Sequence, residues 1–178
     1  MILLKMKEAI YLCLLLACVS CVTNPDNGFN KEGVPKEITR TFEEFGFSIT
    51  APCDLFCNKY PSHAFVVAEY YSIQKNLPFY RIEVREKLII DELSETEQNE
   101  EMDEMIRTCF IGFTKVEKVL FSNNKYPGYV GDKNLDGSTV RMMMFNKGKY
   151  IISLIVTADT SVIDQKFNEF TNSFKAID

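Results

Sequence analysis

The chain has 178 residues, 20 of them basic and 25 acidic, for a net charge of −5. So acidic a chain lacks the basic footprint that nucleic-acid phosphates require, which excludes nucleic acid as a partner class. Its 14 Phe and 8 Tyr, with no Trp, can fill one hydrophobic core, and the length suits one domain rather than two.

The amino terminus carries the first readable signal. Lys5 and Lys7 precede an apolar run from Ala9 to Ala17, which closes as Leu14-Leu15-Leu16-Ala17-Cys18-Val19-Ser20-Cys21. Basic residues, a short apolar run and small residues before a cysteine read as a bacterial lipoprotein signal. A run this short cannot span a bilayer of ~30 Å as a helix. Leu15, Leu16 and Ala17 before Cys18 resemble the lipobox of bacterial lipoproteins, so residues 1–17 are read as a leader and Cys18 as the lipid attachment site. Cys21 is the alternative, with Ser20 before it but Cys18 where the motif wants an aliphatic residue. An ordinary secretory signal with incidental cysteines is the remaining reading. Loss of Lys5, Lys7 and Glu8 with the leader leaves a net charge of −6. No polybasic segment then assists membrane attachment, which rests on acyl chains. The expected location is the bacterial cell envelope, facing periplasm or cell surface, with the membrane and an envelope protein as partners.

Residues 18–36 contain Asn24-Pro25-Asp26-Asn27-Gly28 and Glu32-Gly33-Val34-Pro35, turn formers without apolar periodicity, and read as a flexible tether. The globular domain is expected over 37–178. Between Phe42 and Ala51, Phe47, Ile49 and Ala51 alternate with Ser48 and Thr50 as in a half-buried strand, and Pro52 ends it. A second strand is expected over His63 to Gln74. After a turn at Lys75 to Pro78 comes a third, where Tyr80, Ile82 and Val84 alternate with Arg81, Glu83 and Arg85, giving one apolar and one solvated face.

The period then changes. Ser94 and Glu97 form a capping box, and Met102, Met105, Ile106, Cys109 and Phe110 follow at helical spacing until Gly112. Shorter strands are expected at Val116 to Phe121, Tyr126 to Val130, Thr139 to Phe145 and Lys149 to Thr157. Asn146-Lys147-Gly148 forms a hairpin turn between the last two. A closing helix from Ser161, capped by Ser161 and Asp164, carries Ile163, Phe167, Phe170 and Phe174 on one stripe, so it must lie on the sheet.

The order Gly46-Phe47-Ser48-Ile49-x-x-Pro52, Tyr80-Arg81-Ile82, a long hairpin ending Tyr150-Ile151-Ile152-Ser153-Leu154, then Phe167-x-x-Phe170-x-x-Ser173-Phe174 resembles the PsbP-like family. The resemblance implies an α+β fold, an antiparallel sheet packed against helices as an α/β/α sandwich in a single domain. It covers most of Phe42 to Asp178 and rests on core positions, so it speaks to fold more than function. The family consists mainly of binding and assembly modules and supplies no catalytic residues to transfer.

Chemistry-bearing residues are sparse. His63 is the sole histidine, so nucleophilic catalysis through an imidazole would have to use it. No nucleophile motif surrounds it, and no catalytic residue and no cofactor is assigned. Asp132-x-Asn134-x-Asp136-Gly137 resembles the start of a calcium loop, but Met143 occupies the twelfth position, where a bidentate carboxylate belongs. Turn chemistry is the favoured reading there and a weak cation site the alternative. Cys53 and Cys57 are close enough for a small loop disulfide or stand as independent thiols. Asp91, Glu92, Glu95, Glu97, Glu100, Glu101, Asp103 and Glu104 form an acidic run with no base. It reads as a solvated helix face, with Glu97, Glu100, Glu101 and Glu104 as a docking surface for a basic partner in the alternative. Tyr60, Tyr70, Tyr71, Phe79, Tyr80, Tyr126 and Tyr129 are core or cross-strand aromatics, or line a ligand groove. The combined expectation is a lipid-anchored, non-catalytic binding or scaffold domain. The alternatives are a small-ligand or calcium-binding module and an enzyme using His63.

Overall fold

Period-two alternation of apolar side chains dictates most of this architecture. A computed structural model describes residues 37–58, 66–72, 78–87 and 94–177. Cys18, Cys21, the tether, Tyr60 and His63 lie outside the described residues. Strands β1 (Ile38–Phe42) and β2 (Phe47–Ala51) form a hairpin around a 3-10 turn at Glu43–Phe45, and β10 (Lys175–Ala176) joins β2 to complete a three-stranded sheet. The large sheet contains β3 (Phe56–Asn58), β4 (Val66–Tyr71), β5 (Phe79–Glu86), β6 (Thr114–Leu120), β7 (Tyr126–Leu135), β8 (Ser138–Lys147) and β9 (Tyr150–Asp159). Its order is β3-β4-β5-β9-β8-β7-β6, antiparallel at every pairing. Among the described residues three helical segments interrupt the strands: α1 (Glu95–Thr108), α2 (Phe121–Asn124), a single turn whose φ is positive from Ser122 to Asn124, and α3 (Ile163–Asn172). The fold is α+β.

Each face of the large sheet has its own core. On the first, Tyr80, Ile82 and Val84 of β5 and Ile152, Leu154 and Val156 of β9 meet Ile163, Phe167 and Phe170 of α3. The three-stranded sheet covers the same side, where Phe47 stacks on Phe174 at 5.3 Å between ring centroids and Phe42 meets Tyr70 edge-on at 4.5 Å. The predicted stripe of α3 is therefore buried. On the second face Met102 and Ile106 of α1, with Phe110 beyond it, cover Tyr129, Met142, Met144 and Ile151.

The expected capping box of α1 forms: Ser94 Oγ accepts from the Glu97 amide, and the Ser94 amide donates to Glu97 Oε2 at 2.9 Å. The cap expected for α3 does not. That helix begins at Ile163 with Val162 at its N-cap, whose side chain has no acceptor to offer, and Asp164 pairs with Arg141 instead. The hairpin at Gly148 forms with φ 58°, the left-handed value glycine tolerates. Strand β7 runs five residues past its expected end at Val130, to Leu135. Asp132 and Asn134 thus sit on a strand rather than in a loop, and only Asp136 and Gly137 form the turn.

Candidate functional site on the second face of the sheet

The first face is filled by apolar side chains, so chemistry must come from elsewhere. Register places Glu69, Glu83, Ser153, Met144, Tyr129 and Lys118 opposite one another in a single row across β4, β5, β9, β8, β7 and β6. This row lies on the α1 side. It changes from ionic, to apolar, to polar at the edge strand.

At the ionic end, Glu69 and Glu83 are buried carboxylates directly opposite each other, a destabilising juxtaposition by itself. Arg81 resolves it by contacting both, and Arg85 Nη2 donates to Glu83 Oε2 at 2.6 Å. Arg85 Nη1 also reaches Cys109 Sγ at 3.8 Å, tying the end of α1 to the sheet. Burial disfavours the charged guanidinium of Arg85, yet Glu83 more than offsets this and its pKa is raised. Burial likewise pushes the Cys109 thiol up, so it is not an activated nucleophile. Ser153 is fully buried, and neither its Oγ nor Arg85 Nε has a hydrogen-bond partner among the described residues. The alternating charges of β5 were expected to face solvent. Instead Glu83 is only 6% exposed, with the Arg81 and Arg85 side chains paired against its carboxylate.

At the other end, the Tyr129 hydroxyl donates to Asp103 Oδ2 at 2.8 Å and Lys118 Nζ lies 3.1 Å from Asp103 Oδ1. Partial burial would raise the Asp103 pKa, but these two donors outweigh it and hold the carboxyl below its ordinary range. One acid of the α1 run is therefore a structural link. Glu97, Glu100, Glu101 and Glu104 are all exposed, which the solvated-face and docking-surface readings both require. Glu104 pairs with Arg107 at 3.2 Å, and Glu97 is held by Ser94, which lowers its pKa.

The remaining candidates are not gathered into one site. Cys53 and Cys57 are free thiols, so the loop disulfide is not formed: Cys53 points into the core, while Cys57 is exposed on β3. Burial, the dominant effect, raises the Cys53 pKa. Both carboxylate oxygens of Asp132 are engaged by Arg141, at 2.6 and 2.8 Å, and Asn134 Oδ1 accepts from Thr139. A cation there would have to displace a guanidinium. Among the described residues no group of three or more His, Cys, Asp or Glu side chains is placed to hold a metal ion. The aromatic set splits: Tyr70, Tyr80 and Tyr126 belong to the first core and Tyr129 to the second, while Tyr71 stacks on Phe79. Among the described residues they do not line a common groove.

The sequence reading missed a groove between α1 and the β6–β8 strands, about 580 Å³ in volume and open rather than enclosed. Met102, Ile106, Pro127 and Gly128 line it together with Glu100, Asp103, Glu104, Arg107, Lys118 and Asn146. Its signal was the helical spacing of Met102 and Ile106 beside the acidic run, but only the tertiary fold shows which strands form the opposite wall. Among the described residues no helix is long and apolar enough to cross a membrane.

No family model and no curated protein matches the sequence. Among solved structures, the fold is similar to the solution structure of cyanobacterial PsbP (CyanoP) from Synechocystis sp. PCC 6803. The two share 10% sequence identity at a TM-score of 0.50, over 90% of this chain and 99% of that one. At that identity the likeness is one of architecture, and the described chain has a PsbP-like α+β fold.

Proposed function

We propose that this chain is a lipid-anchored, non-catalytic docking domain of a bacterial cell envelope. The observation that carries the reading is the amino-terminal signal: basic residues, a short apolar run, and Leu15-Leu16-Ala17 before Cys18. An acyl anchor followed by a turn-rich tether holds a domain near a membrane while leaving its surfaces free to meet other proteins. The PsbP-like fold supports the same reading, because the family is used mainly for binding and assembly. The polar groups of the second face also support it. Glu69, Glu83, Arg81 and Arg85 there are spent on each other in ion pairs.

The test is metabolic labelling with an alkyne fatty acid in a bacterial host, followed by membrane fractionation. Cys18→Ser should lose the label and appear in the soluble fraction, whereas Cys21→Ser should remain labelled and membrane-bound. Loss only in Cys21→Ser would move the anchor to that residue. A parent chain that takes no label and stays in the soluble fraction would overturn the lipid-anchored reading.

A further inference from the structure

We propose that α1 is a lid over the second face of the large sheet, latched by Asp103. Release of that latch lifts the helix about the turn at Phe110–Gly112 and uncovers Met142 and Met144 on β8. The inference goes beyond the docking-domain reading and does not depend on it.

The helix grips the sheet weakly for its length. Among the described side chains of the 14-residue α1, only Met102 and Ile106 are buried, with Met105 packed at their edge. The 10-residue α3 buries four: Ile163, Phe167, Phe170 and Thr171. Charge adds to the difference. Between Glu95 and Thr108 the sequence has six acids and one base, Arg107, and like charges crowded on one helix repel one another.

The two ends of the lid are held differently. At its C-terminal end, Phe110 is buried, and its ring lies 5.3 Å from that of Phe113 and 6.3 Å from that of Tyr129. Gly131 of β7 makes this seat possible, since a Cβ there would lie 2.9 Å from Phe110 Cδ1. Arg85 adds its contact to Cys109 at this end. Gly112 follows with φ 84° and nothing within 4 Å of where its Cβ would be, so the backbone can turn there without a clash. That end is the pivot. Asp103 lies seven residues before Phe110, about 10 Å along a helix. It fastens the helix to two strands at once, through Tyr129 of β7 at 2.8 Å and Lys118 of the edge strand β6 at 3.1 Å. A charged contact that far from the pivot decides whether the lid stays down.

Three consecutive methionines give the test its internal control. Met142 and Met144 belong to the core under α1, whereas Met143 packs against the first core on the opposite face. The full chain in an uncharged detergent is treated with dilute hydrogen peroxide, and sulfoxide at each methionine is followed by peptide mass spectrometry. Met144, only 1% exposed, should oxidise through opening of the lid. In Asp103→Asn, Met142 and Met144 should oxidise about tenfold faster, the effect of losing a charged hydrogen-bond acceptor. Met143 oxidation and the hydrogen exchange of α3 amides should keep their parent rates. Lys118→Gln should act in the same direction, and the double variant should fall short of the product of the two single effects. Unchanged oxidation of Met144 in both single variants would overturn the latch. Acceleration of Met143 together with its neighbours would mean that the whole domain loosens and that α1 is not a separate lid. Fully independent effects of the two substitutions would show that Asp103 and Lys118 do not act as one latch.

Discussion

The two faces of the large sheet are built from different materials. The first buries Phe47, Phe145, Phe170 and Tyr80 almost completely, with α3 and the small sheet pressed against it. The second carries an ion-pair chain from Glu69 to Arg85, a smaller methionine-rich core, and a helix loaded with acids. Aromatic rings bury large areas and interlock at fixed angles, so the first face should dominate stability. Methionines adapt to gaps, and ion pairs gain little net energy because desolvation offsets their attraction. The comparison teaches a division of labour in stability: the first face holds the larger, aromatic share of the core, and the second a smaller share beside buried ion pairs.

The largest expected effect breaks the first face. Phe170→Ala should cost about 3–5 kcal/mol in a denaturant melt, since the ring is 1% exposed and packs edge-on against Tyr80. Ile106→Ala, under α1, should cost about 2 kcal/mol, the low end for this change, because the groove gives its cavity access to water. Equal losses would erase the contrast between the faces.

Next comes the bidentate pair joining β7 and β8. Asp132→Asn should destabilise by about 3 kcal/mol, because it leaves the half-buried Arg141 guanidinium with less compensation. Arg141 depresses the Asp132 pKa despite burial. A depressed carboxylate contributes stability that is present above its unfolded pKa, about 3.9, and is lost as pH falls through its folded value. An acid titration of stability should therefore steepen below pH ~4 in the parent chain and less so in Asp132→Asn. Matching acid limbs would show that the pair contributes nothing.

The smallest expected effect sharpens the account of the second face. Ser153 Oγ is buried with no hydrogen-bond partner among the described residues, and such a group costs ~1–3 kcal/mol to bury. Ser153→Ala should leave the melting temperature unchanged or raise it. A clear loss of stability would mean that the hydroxyl is satisfied and that the row across the sheet is tighter than its geometry indicates.

Legibility followed the same division. The first face was readable because alternation in β2 and β5 and the α3 stripe are local patterns with a fixed period. Short strands β1, β3 and β10 were not read, since two to five residues carry too little periodicity to stand out. The polar face of β5 was misread for a related reason: Arg81, Glu83 and Arg85 look solvated until Glu69 arrives from β4. Asp132 looked like a loop residue because its partner, Arg141, is brought opposite only by the β7–β8 register. The exposure of the acidic helix face was legible, whereas the groove beside it depends on strands β6 to β8 and was not.

Native-state hydrogen exchange, resolved by residue, tests the contrast between the faces most directly. Amides of α3 and of the central strands β5 and β9 should exchange only through global unfolding. Those of α1 should exchange through a smaller opening, because that helix rests on a smaller core and bears uncompensated like charges. Raising salt should narrow the gap by screening the α1 acids. Protection of α1 equal to that of α3, unaffected by salt, would contradict the division of labour between the two faces.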